Sequence, residues 1–116
     1  MGLDLTIAFE EYPSLVGRSP TLAFSRMRLR SMNYGLGGEI AKRSHPYPHA
    51  VNDYQDEGLK EITKDRYGKD LTYILADDLV DVLEQHLDPR ATWDWAIVAF
   101  LRCVPVDQRR IILIWC

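Results

Sequence analysis

Leu3, Leu5, Ile7 and Phe9 alternate with Asp4, Thr6 and Ala8, the period-2 pattern of a strand with one buried face. Residues 10–20, "EEYPSLVGRSP", combine two prolines, a glycine and two serines and read as an exposed connection. "TLAFSRMRL", residues 21–29, predicts a second extended segment. A short helix is expected from Asn33 to Arg43, with Tyr34, Ile40 and Ala41 partly buried. "SHPYPHAVND" is a loop, because prolines at 46 and 48 remove helical hydrogen bonds. "GLKEITKDRYGKDLTYIL" predicts a hairpin: Leu59 and Ile62 on one arm, Gly68 free to take a positive φ in the turn, then Leu71, Tyr73 and Leu75 alternating.

Two helices follow. Ala76, Leu79, Val82, Leu83, His86 and Leu87 recur at helical spacing opposite Asp77, Asp78, Asp81, Glu84 and Gln85. The acids of the first turn complement the helix dipole. Asp88 and Pro89 end this helix, and Thr92 can cap the next, where Trp93, Ala96, Ile97, Phe100, Leu101 and Val104 form an i, i+3, i+4, i+7 stripe up to Pro105. The closing "RRIILIWC" reads as a strand buried on both faces and hence central in its sheet. These elements predict a single α+β domain over 1–116. The first and last strands are adjacent in a small central sheet, a hairpin extends it, and the two C-terminal helices pack on one face. Trp93, Phe100, Leu101, Ile112 and Ile114 are the expected core.

At 116 residues, 47% apolar and 27% charged, the chain matches an ordinary globular domain and not a disordered one. Its longest apolar run, Trp95 to Leu101, is seven residues, against about 20 for a membrane span. The start lacks the basic and apolar regions of a secretory signal. Gly2 and Thr6 fit a loose acylation pattern, but the strand beginning at Leu3 argues against its use. Two cysteines, Cys103 and Cys116, are too few for a disulfide framework, which makes a reduced cytoplasmic setting the expectation, with Cys103 as a small core residue.

Charge changes the picture more. The net −3 is uneven: residues 53–94 hold twelve acidic and five basic side chains, a net −7, while residues 1–43 hold four acidic and six basic, a net +2. Nucleic-acid binding by the whole surface is therefore disfavoured. Arg26, Arg28 and Arg30 would share one strand face, as an anion or acidic-partner surface or as a solvated outer face. No interleaved aromatic residue supports stacking of single-stranded nucleic acid there. Asp77, Asp81 and Glu84 make an acidic helix face, either functional or merely solvated. Trp95, with Val98 and Arg102, falls on a second face of its helix, implying burial against another element or an exposed anchor for a partner.

Other chemistry is excluded by spacing. Gly35 and Gly37 are followed by Ile40 where a dinucleotide fingerprint needs a third glycine, and no glycine precedes Lys42 as a phosphate loop requires. His45 and His49 have a ligand-like spacing, yet the extended proline-rich segment sets them about 12 Å apart. No nucleophile elbow, Cys/His pair or zinc-ligand spacing is present, so no catalytic residue, metal or cofactor is expected.

"MGLDLTI", "LAFSRMRL" followed by "NY", "DEGL", "DRYGKDLTYILADDL", "WDWAIVAFL" and the terminal "IILIWC" together resemble a group of small uncharacterised accessory proteins of tailed bacteriophages and prophages. The resemblance runs over nearly the whole chain and implies no activity or cofactor. It implies a setting inside a bacterium, where small phage accessory proteins often bind and disable host proteins, CRISPR and other defence complexes included. The expectation is a non-enzymatic protein that binds a host or phage protein, either as a monomer or as a dimer. The alternative is a small enzyme or nucleic-acid-binding protein with a site assembled from scattered polar residues.

Overall fold

The computed structural model describes residues 4–9, 26–55, 58–104 and 110–116. Five strands form one sheet in the order β2-β1-β7-β6-β3, with every neighbouring pair antiparallel. They are β1 (Leu5–Phe9), β2 (Arg26–Leu29), β3 (His45–Pro46), β6 (Thr72–Leu75) and β7 (Arg110–Trp115). A separate two-stranded sheet pairs β4 (Val51–Gln55) with β5 (Gly58–Ile62). The chain termini meet as expected: Leu5 lies opposite Trp115, and Phe9 opposite Ile111. The β7 run is the central strand because Ile111, Ile112, Leu113 and Ile114 are all buried, which only a position covered on both faces allows.

One face of the sheet carries all three helices, α1 (Tyr34–Lys42), α2 (Ala76–His86) and α3 (Thr92–Leu101). Leu5, Ile7, Phe9, Leu29, Ile74, Ile111 and Leu113 from the strands pack there against Leu36, Ile40, Leu79, Leu83, Ile97 and Leu101 from the helices. The expected pair of helices is thus joined by a third. Ala8, Leu71, Ile112 and Ile114 line the opposite face, which Tyr47 and Val51 cover. Trans prolines at 46 and 48 hold that covering segment extended, and Tyr47 is the buried residue between them.

Several expectations are corrected. The hairpin exists only at its tip: Asp65 N–H donates to Lys69 C=O, Leu71 N–H to Thr63 C=O, and Lys64 bridges Asp70. Gly68 takes φ +78° in this turn, which a side chain would strain. Beyond it the arms diverge, because β5 pairs with β4 whereas β6 pairs with β7 and β3. On β6 it is Ile74 that is fully buried while Leu75 is exposed. Helix α1 lies where expected, but its inner residues are Leu36 and Ile40, with Ala41 exposed and Tyr34 at 75% exposure. The Asn33 side chain caps α1 by accepting the Leu36 N–H, and a side chain at Gly35 would crowd that oxygen at 3.3 Å. Thr92 begins α3 without capping it, its hydroxyl donating to the Arg90 carbonyl. Cys103 and His86 are exposed. The predicted connection at 10–20, Leu3, Pro105, and positions 21–25 of the second extended segment lie outside the described residues.

Candidate partner-binding face

Helix α3 does not turn inward the stripe expected of it. Its buried residues are Asp94, Ile97, Val98 and Leu101, so Trp93 and Phe100 stand 52% and 49% exposed. The sequence TWDWAIVAFL is apolar on all sides, so hydrophobicity alone cannot decide the rotation; hydrogen bonding does. Asp94 is 1% exposed and accepts the Arg30 N–H at 2.9 and 3.2 Å and the Ser31 N–H at 2.7 Å. Those donors sit where the chain leaves β2 and need a partner. Hydrogen bonds to a charged acceptor are worth about 1.5–3 kcal/mol each, enough to hold this carboxylate inside.

The outward face then consists of Trp93, Ala96, Ala99 and Phe100. Phe100 rests edge-on against Phe9, with centroids 5.3 Å apart. Trp93 lies against the end of β2: its indole N–H donates to the Arg28 carbonyl at 3.3 Å, and the Arg30 guanidinium stacks 4.4 Å above its ring. Asp4, Arg28, Arg30 and Trp93 enclose a cleft of about 320 Å³. Arg28 pairs with Asp4 across it, whereas Arg30 meets no carboxylate through its side chain among the described residues.

The arginine row is placed as its alternation implied, with Arg26, Arg28 and Arg30 exposed and Leu29 buried between the last two. The structure adds the aromatic neighbour that the sequence lacked nearby, since Trp93 reaches Arg30 from a distant helix. Trp95 is half-buried against the helix-side core, its indole N–H donating to the Asp88 carbonyl at 2.9 Å. Its helix neighbour Val98 is fully buried. The exposed tryptophan of α3 is therefore Trp93, while Trp95 is half-buried.

The acidic face of α2 is tied down internally. Asp81 accepts from Arg43 at 2.7 Å and from Gln85 at 3.0 Å, and Glu84 pairs with Arg102. The Arg43 guanidinium holds the Asp81 carboxyl below its ordinary range, and Asp81 in turn raises Arg43. Asp77 is exposed in the first turn of α2. These pairs link α2 to α1 and α3, so Asp81 and Glu84 are committed to contacts inside the molecule.

A second concavity, about 590 Å³, lies between α1 and the turn at 65–70, with Tyr34, Gly37, Gly38, Ala41, Tyr67 and Trp115 among its lining residues. Much of its polar chemistry is answered within the chain. Asp65 accepts the Tyr67 and Lys69 N–H groups, Asp70 pairs with Lys64, and the Tyr67 hydroxyl donates to the Cys116 carbonyl. Gly37, one of the two glycines that failed the dinucleotide fingerprint, and Gly38 form part of this groove's wall. His45 and His49 are exposed beside Tyr73 and Tyr47, and no cluster of three metal-ligating side chains occurs among the described residues. No described helix is long and apolar enough to cross a membrane.

Asp94 and Trp93 are the two site residues that the periodicity misassigned. The spacing 94, 97, 98, 101 is as complete a stripe as the one through Trp93, and a lone acid within it was the available signal. No family model, no curated protein and no solved structure matches the chain.

Proposed function

We propose that this protein is a non-enzymatic binding domain that engages a partner protein through the outward face of α3 and the adjoining Arg28 and Arg30. One observation carries the reading: a helix apolar on all sides leaves Trp93 and Phe100 half exposed instead of burying them. Contiguous exposed apolar surface marks interaction sites, and tryptophan and arginine dominate their energetics. The resemblance to phage accessory proteins supplies the setting, with a host or phage protein as partner and a bacterial defence complex, CRISPR included, among the targets to test.

A second reading has its own support, because Arg30 stacked on Trp93 is the cation-aromatic pairing that single-stranded nucleic acid uses. Asp4 in the same cleft and the net charge of −3 weigh against it. Capture from nuclease-treated bacterial lysate tests both. The wild type should retain a protein that Trp93→Ser/Phe100→Ser loses. Retention that vanishes with nuclease would favour the nucleic-acid reading, and equal capture by both forms would refute the proposed face.

A further inference from the structure

We infer that the occupant of this face is an acidic amphipathic helix, with a carboxylate in the cleft beside Arg30 and apolar side chains along Trp93, Ala96 and Phe100. The inference rests on the protein-binding reading above and names the chemistry of the partner. Trp93, Ala96 and Phe100 stand at i, i+3 and i+7, a row about 10 Å long. An incoming helix meets such a row with anchors at the same spacing.

Charge selects the sign. Arg30 flanks the N-terminal end of the row, its backbone N–H held by Asp94 and its guanidinium carbon 4.4 Å from the centroid of the indole ring. No carboxylate pairs with that guanidinium among the described residues, and arginine binds such a group bidentately. Arg28 stands across the cleft, paired with Asp4. A second copy of this chain fits poorly, because its own exposed row, Trp93, Ala96, Ala99 and Phe100, offers Arg30 no carboxylate. An acidic helix supplies that carboxylate.

The test is a selection of random peptides of about 16 residues, four helical turns, on the full chain, followed by fluorescence anisotropy of the enriched peptides. A thymidine 12-mer is measured alongside. Enriched peptides should carry Asp or Glu together with apolar residues three or four apart. Their affinity should fall about tenfold or more for Arg30→Ala and for Phe100→Ser, the range expected of central anchors. Arg30 and Phe100 are exposed side chains, so both variants should fold. Enriched peptides that are neutral or basic, bind Arg30→Ala as well as wild type and still require Phe100 would overturn the acidic partner and leave the protein-binding face intact. No enriched peptide sensitive to either variant, or binding of the 12-mer in place of peptides, would overturn both.

Discussion

Helices α2 and α3 are neighbours of almost equal length, eleven and ten residues, yet they divide inside from outside in different ways. In α2 the division follows polarity: Leu79, Val82 and Leu83 are buried, and Asp81 and Glu84 outside are paired with arginines of the adjoining elements. In α3 the division cuts across polarity, with an aspartate inside and a tryptophan and a phenylalanine outside. Helix α2 is satisfied by its own molecule. Helix α3 leaves Trp93 and Phe100 about half exposed, and the proposed function rests on that surplus of apolar surface.

The comparison can be broken by substitution, beginning with the inward positions. Leu83→Ala on α2 and Val98→Ala on α3 remove fully buried side chains, and each should lower unfolding free energy in urea, Leu83→Ala by about 2–5 kcal/mol. Asp94→Ala should cost about 3 kcal/mol, since it strands the Arg30 and Ser31 N–H groups in a buried site. Asp94→Asn keeps one acceptor and should cost less. Equal stability of Asp94→Ala and wild type would mean that something other than this carboxylate sets the rotation of α3.

Outward positions should respond far less. Phe100→Ser loses an edge contact with Phe9 and should change stability by less than about 1.5 kcal/mol, in contrast with Leu83→Ala. A loss as large as that of Leu83→Ala would return Phe100 to the core.

The smallest effect belongs to the acidic face. Asp81, Asp70, Asp88 and Glu39 all have carboxyl groups held below their ordinary values, chiefly by side-chain hydrogen bonds from Arg43, Lys64, Arg90 and Lys42 respectively. A depressed folded-state value stabilises above the unfolded-state value and is lost as pH falls through the folded one. Melting temperature should therefore decline as pH drops below about 4. Asp81→Asn should flatten that decline slightly while leaving stability at neutral pH nearly unchanged, because exposed pairs contribute little.

Legibility in the sequence followed the strength of local constraint. The alternation through Leu5, Ile7 and Phe9 and the unbroken run from Ile111 to Ile114 each admit one environment, and their pairing at the centre of the sheet was readable. Helix α2 was readable because its polar and apolar residues segregate. The rotation of α3 was not, because the stripe that is buried carries an acid, Asp94, and the bonds that hold it inside come from Arg30 and Ser31, more than sixty positions away. The same distance hid the candidate face. Arginine alternation placed Arg28 and Arg30 on one exposed face, and Trp93 reaches them only through the fold. The divergence of β5 from β6 was equally invisible, since the turn chemistry around Gly68 specifies the hairpin tip and says nothing of which strands its arms go on to meet.

The most direct test of the central claim is a calorimetric titration of the captured partner protein against three folded forms: wild type, Trp93→Ser/Phe100→Ser, and Asp77→Ala/Asp81→Ala/Glu84→Ala. The account predicts a loss of about 100-fold in affinity, near 2.7 kcal/mol, for the α3 variant and a change within about threefold for the α2 variant. Wild-type affinity in the α3 variant together with a large loss in the α2 variant would contradict it, placing recognition on the helix that looks satisfied.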